Sequence, residues 1–223
     1  MMYNVVIVVR LLKERRKNIM EAHFLNVSAA YSQCESLNTL ASSNGEKLIK
    51  NLESDINNLK VHWVGTDATK HINHLISVYN ALIELVYQAK RSSSEAASMG
   101  VIKVQTAIHS NCGEGSVGEE LPSNRPDAAS IATLEDTNEF YCEPASKSDY
   151  TLLVQICTDF DNFISQFTSA KDELMNNWIS GANRENAVKE FNDFASNSDL
   201  YKSYLIEARD NLEIAVNNLA TLY

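Results

Sequence analysis

Three histidines, His62, His71 and His74, crowd one short stretch of the chain, and His71 and His74 share a face if that stretch is helical. Clustered imidazoles are the raw material of a zinc site, but zinc asks for a third ligand, usually a carboxylate or thiolate in defined geometry. Asp67 is the carboxylate at hand. A weak surface site is conceivable; polar histidines on a solvated helix face is the reading preferred, and no metal is expected. Gly113-Glu114-Gly115-Ser116-Val117-Gly118 spells a dinucleotide-binding fingerprint. That motif works only between a strand and a helix of a βαβ unit. Here Glu114, Glu119 and Glu120 would repel a pyrophosphate, Pro122 follows at once, and there is no second βα unit, so a flexible connection is the better reading.

The four cysteines form no CxxC pair, which excludes a zinc ribbon or a thioredoxin-type redox motif. Cys34 and Cys157 fall on apolar helix faces and read as small buried hydrophobes. Cys112 and Cys142 flank a breaker-rich segment and are candidates for a disulfide in an oxidising compartment. Paired acids such as Asp159 with Asp161, or Asp172 with Glu173, lie on faces expected to be solvated. No Ser-His-Asp or Cys-His arrangement has supporting context. The expectation is therefore a protein with no catalytic residue and no cofactor.

Positioning even these residues falls to helices. The 223 residues are 44% apolar and 22% charged, an ordinary globular composition with enough chain for a sizeable core. Seven glycines and three prolines are too few for a turn-dense β protein. A formal charge of −10 argues against nucleic acid, which needs a basic face.

Residues 1–19 stand apart, with a net charge of +4 that leaves −14 for the rest. The apolar run Val5–Val9 is too short for a signal-peptide core or a membrane span. Lys13-Glu14-Arg15-Arg16 can be encoded by a ribosome-binding sequence, with Met20 at a suitable distance behind it. Residues 1–19 are therefore expected to be a non-native extension.

All three prolines, Pro122, Pro126 and Pro144, and three glycines fall within residues 110–149, together with a net charge of −7. That segment reads as an acidic linker. Before it, Val27, Tyr31, Cys34, Leu37, Leu48, Leu52, Ile56, Leu59 and Trp63 step by threes and fours along one helix face. Ser42 to Glu46 suggests a kink or short break there, with Ser43 and Glu46 spaced as a capping box. After a turn at Val64-Gly65-Thr66, a second helix runs through Ala68, Ile72, Leu75, Tyr79, Leu82, Val86 and Ala89. It is expected to fray at Ser92-Ser93-Ser94, or else to continue to Met99. Beyond the linker the plan repeats: Leu153, Ile156, Phe160, Phe163, Phe167, Leu174 and Trp178, a break at Ser180-Gly181, then Ala187, Phe191, Phe194, Tyr201, Leu205, Ala208, Leu212, Val216 and Leu219. The fold class expected is all-α: hairpin 1 over 20–109, linker 110–149 and hairpin 2 over 150–223, forming one four-helix bundle or two tethered hairpins.

In Trp63-Val64-Gly65-Thr66-Asp67-Ala68, glycine supplies the positive φ that ends a helix, Thr66 or Asp67 can cap the next one, and the indole plugs the end of the seam. With Trp63, Gly65, Asp67 and Ala68 so placed, the chain resembles the WXG superfamily, helical hairpins exported by bacterial type VII (ESX-type) secretion systems. Trp178 and Gly181 repeat the pattern with one extra residue between them, and Ala187 stands loosely for the later alanine. The resemblance covers residues 20–98 and, more weakly, 150–223.

It implies a non-enzymatic, secretion-associated binding protein, either cargo or the adaptor of a larger secreted toxin, that docks partner helices along its bundle. The implied partner is another helical protein or a second copy. Membranes enter only through a secretion machine, and the chain would be secreted without a Sec signal or held in the bacterial cytoplasm before export. Secreted members of the family often place an acid four residues after a tyrosine beyond the hairpin. Here only Tyr31 and Glu35 have that spacing, upstream of the turn, which points to an export signal supplied by a partner. The alternative reading is a structural bundle of a phage or cell-surface assembly.

Overall fold

Apolar residues spaced by three and four leave a segment one economical way to hide its carbon, as a helix with that stripe turned inward. The computed structural model, which describes residues 25–101, 140–179 and 181–221, is all-α. Helix α1 (Val27–Leu40) passes through a π turn (Ala41–Gly45) into α2 (Glu46–His62), so the two form one rod. Strand β1 (Trp63–Val64) and Gly65 reverse the chain into α3 (Thr66–Glu95), which a second π segment (Ala96–Val101) extends. Strand β2 (Phe140–Tyr141) leads into α4 (Glu143–Asn177), and a turn from Trp178 to Gly181 leads into α5 (Ala182–Ala220).

The α1–α2 rod packs on α3 and α4, and α5 packs on the same two helices, so four rods close a ring around a single core. The Cys142 amide donates to the His62 carbonyl at 2.9 Å, and the Asn26 amide donates to the Asn177 carbonyl at 2.8 Å. The α1–α2 rod therefore runs antiparallel to α4. In chain order the rods run up, down, down and up, and the connection from Val101 to Phe140 starts at one end of the bundle and finishes at the other. The two hairpins are not loosely tethered. Each buries the seam the other leaves open, with Leu37, Leu52, Ile56, Leu75 and Leu82 of the first facing the same core as Phe160, Phe163, Phe167 and Phe191 of the second. Rings in the second half interlock, Phe167 on Phe194 at 4.6 Å and Phe160 on Tyr201 at 4.8 Å.

The two halves are related by an internal pseudo-twofold. A shift of 116 residues, the spacing from Asn26 to Cys142, carries α3 onto α5: His71 maps to Ala187, Leu75 to Phe191, Val78 to Phe194, Leu82 to Ser198, Leu85 to Tyr201 and Ala89 to Leu205. Both members of every pair are buried. The α1–α2 rod is one residue longer than α4, and the π turn holds the surplus. Gly45 ends that π turn pressed on α3; a Cβ there would stand 2.7 Å from Val86 Cγ1.

Several local expectations need correcting. Ser43 and Glu46 form no capping box: the helix runs on through the π turn, and Ser43 Oγ donates to the Thr39 carbonyl at 2.5 Å. The serine cluster does not fray, because Ser92 and Ser93 are buried and their hydroxyls donate to the carbonyls of Gln88 and Ala89 at 2.8 and 2.7 Å. Neither Thr66 nor Asp67 is the cap of α3; Gly65 takes that place without a side-chain hydrogen bond. The second hairpin starts before residue 150, since α4 begins at Glu143 with Pro144 in its first turn, where a missing N–H costs nothing. Residues 1–19, the glycine motif 113–118 and Cys112 lie outside the described residues.

Candidate functional site

The two turns are the features most strongly specified by sequence. At the first, β1 pairs antiparallel with β2, Trp63 opposite Tyr141 and Val64 opposite Phe140. Gly65, at φ +143° and ψ −175°, holds a conformation essentially reserved for glycine, and its carbonyl accepts the Thr69 amide at 2.8 Å to start α3. Trp63 is buried and its ring meets that of His71 at 5.7 Å. Ala68 is fully buried, whereas Asp67 is exposed and pairs with Lys70 at 3.0 Å, one turn along.

The second turn repeats this at the opposite end. Trp178 bridges to Leu25 just as β1 pairs with β2, and it too is buried. Gly181 sits at φ +119°, its carbonyl accepts the Glu185 amide at 3.2 Å, and Arg184 Nε donates to the Trp178 carbonyl. Each tryptophan thus closes the bundle where the other hairpin's first helix begins. Under the 116-residue shift the equivalent of Ala68 is Arg184, not Ala187, which corresponds to His71 instead.

The three histidines separate. His62 Nδ1 lies 2.7 Å from Asp149 Oδ2 on α4. His71 and His74 line a cleft of about 600 Å³ between α3 and α5, with Trp63, Asp67, Lys70, Asn211 and Ile214. Burial, and secondarily the neighbouring His74, push the His71 imidazole down to about 4, so the ring is neutral at pH 7. Among the described residues, no three His, Cys, Asp or Glu side chains are grouped to hold a metal.

A second polar feature was not anticipated. Asp55 of α2 is fully buried, and neither carboxylate oxygen has a hydrogen-bond partner; Ser146 Oγ of α4 is likewise buried and unpartnered. Burial first, and the charge of Asp149 second, push the Asp55 carboxyl up to about 8. Asp149 is raised by burial, although its bond to His62 works in the other direction. Cys34 is buried and its thiol is pushed up to about 12, and half-buried Cys157 is pushed up to about 11, which makes both poor nucleophiles at neutral pH.

The outer surface carries apolar side chains chiefly on α5. Leu200 is 53% exposed, Tyr204 41% and Ile214 58%. Leu200 and Tyr204 border a shallow cleft of about 280 Å³ with Ala81, Leu85 and Tyr201, where Asn197 Nδ2 donates to Gln88 Oε1 at 2.8 Å. Residues 81, 84, 85 and 88 map onto 197, 200, 201 and 204, so this cleft sits on the pseudo-twofold itself. No described helix is long and apolar enough to cross a membrane. No family model, no curated protein and no solved structure matches the chain.

Proposed function

We propose that the chain is a non-enzymatic binding protein of the type VII secretion kind, built as two WXG-like hairpins fused into one polypeptide. The observation that carries this reading is the equivalence of the two turns. Trp63 with Gly65, and Trp178 with Gly181, each end a hairpin's first helix with an indole turned into the bundle and a glycine in a conformation other residues avoid. The same device placed twice, at opposite ends, is what a fused pair of such hairpins requires.

The docking mechanism differs from the open seam that a lone hairpin would offer. Each hairpin already completes the other, so a partner helix must lie on the outer surface. The α3–α5 face, with Leu200 and Tyr204 beside a shallow cleft, supplies apolar contact for an amphipathic helix. A partner bound there would also supply the export signal that Tyr31 and Glu35, within α1, do not place beyond a hairpin.

The decisive experiment follows the tagged chain in its own host. Extracellular accumulation that disappears when the type VII membrane ATPase is deleted supports the reading, as does co-purification of a helical leader domain of a secreted toxin. Export unaffected by that deletion, or recovery of phage or envelope scaffold proteins alone, overturns it.

A further inference from the structure

Along α5, Asp193, Leu200, Glu207 and Ile214 follow one another in steps of seven, and all four are exposed. Seven residues are nearly two turns, so these side chains stack on one outer face, acid alternating with hydrocarbon, over roughly 32 Å. Tyr204 stands one turn beyond Leu200, and Ala81 of α3 carries the apolar strip across the shallow cleft.

The pseudo-twofold provides an internal comparison. Under the 116-residue shift the same row on α3 and its π extension reads Ser77, Glu84, Arg91 and Ser98, all exposed, and Gln88 is the mate of Tyr204. The fold is therefore satisfied with polar side chains at every one of these places. The exposed hydrocarbon at 200, 204 and 214 is an addition on one side only, and packing within the bundle does not call for it.

Charge indicates what covers that strip. Asp193 and Glu207 flank Leu200 on α5, and Glu84 borders the cleft from α3. The cations on the α3 side already have acids of their own helix, Lys70 with Asp67 at 3.0 Å and Arg91 with Glu95 at 2.9 Å. Lys189 lies one turn before Asp193, beyond the end of the row. A second copy docked through this face would bring the same acids against one another, which opposes association.

We propose that the α3–α5 face docks a basic amphipathic helix of another protein, laid alongside α5. Its apolar side chains rest on Leu200, Tyr204 and Ile214, and its lysines or arginines stand opposite Asp193, Glu207 and Glu84. The proposal rests on the binding half of the reading above and names the partner's chemistry. Helices packed side by side at about 20° stay in contact over several turns, with apolar steps giving burial and rim charges fixing orientation.

The test is fluorescence anisotropy of the full chain with a labelled peptide of three heptads, leucine at the apolar positions and lysine at the flanking ones. Saturable binding that weakens as salt is raised is expected. A scrambled peptide of the same composition, and one with glutamate in place of lysine, should bind at least about tenfold more weakly. Leu200→Glu with Tyr204→Gln copies the residues at 84 and 88, so the circular dichroism should be unchanged while binding weakens by about tenfold or more. Asp193→Ser with Glu207→Arg, which copies 77 and 91, should also weaken binding and flatten its salt dependence. Val61→Ser, at an exposed apolar residue outside this face, should leave binding as it is. Equal binding of the scrambled peptide overturns the proposal, as does parent-like binding by the Leu200 and Tyr204 double variant, or self-association through this face with no peptide bound. Secretion is read separately in the host. ATPase-dependent export that survives the Leu200 and Tyr204 double variant, with peptide binding absent, refutes this docking face and leaves the secretion reading standing. Peptide binding as expected, with export independent of the ATPase, does the reverse.

Discussion

Asp55 and His71 pull the stability of the protein in opposite directions as pH changes, and the two effects are separable. The Asp55 carboxyl holds its proton up to about 8 in the folded chain against 3.8 ordinarily, so between those values the folded state binds the extra proton and stability falls as pH rises. His71 is lowered to about 4 from 6.5, so between those values the unfolded state binds the extra proton and stability rises with pH. Each slope is about 1.4 kcal/mol per pH unit at its steepest. The raised Asp149 adds to the downward slope near its lower end. Denaturant melts should therefore be nearly level from pH 4 to 6.5 and decline from there to 8. In Asp55→Asn the decline above pH 6.5 should vanish and a rise below it should emerge; an unaltered profile would show that Asp55 is not the titrating group. Trp63→Ala should cost about 3–5 kcal/mol, read as a lower melting temperature, because it empties a packed site. An unchanged melting curve would mean that the indole contributes no packing.

At the scale of elements, the turns depend on backbone conformation more than on contacts. Gly181→Ala puts a Cβ into open space, yet φ +119° remains, so the expected loss is about 1–3 kcal/mol from conformation alone, measured by chemical denaturation. Gly65→Ala should cost a similar amount. These turns, and the inward stripes of all four rods, were legible in the sequence because each rests on local periodicity or on one residue type. Leu153 to Trp178 and Ala187 to Val216 all face the core as their spacing implies, while Tyr31 and Leu219 lie at its margin. What lay hidden depends on partners far along the chain. Asp55 stands next to Ile56 on the apolar stripe, but nothing local reveals that it will face Asp149, a residue that composition assigns to the acidic linker. The serines at 92 and 93 read as helix breakers because their hydroxyl bonds to carbonyls one turn back are visible only once the helix exists. His71 and His74 were legible as a shared face, but the burial of His71 was not, since it comes from Trp63 and from α5 packing across it.

For the whole molecule, the pairing of hairpins predicts what happens when the covalent link is cut. A protease site engineered between residues 110 and 135, then cleaved, should leave two fragments that co-elute as one species, because each end is held by tryptophan burial and by backbone hydrogen bonds such as Cys142 to His62. Separation on a sizing column without denaturant would show that the connection, and not the core, keeps the halves together. Carrying both hairpins on one chain also changes what the two ends can become. In an assembly of two identical hairpins, a substitution at one tip is necessarily written into the other, and the particle looks the same when inverted. Here one tip carries a pair of imidazoles and the other an alanine and a glutamate, so the particle has a head and a tail. Any channel or receptor that engages one tip can impose a direction of travel.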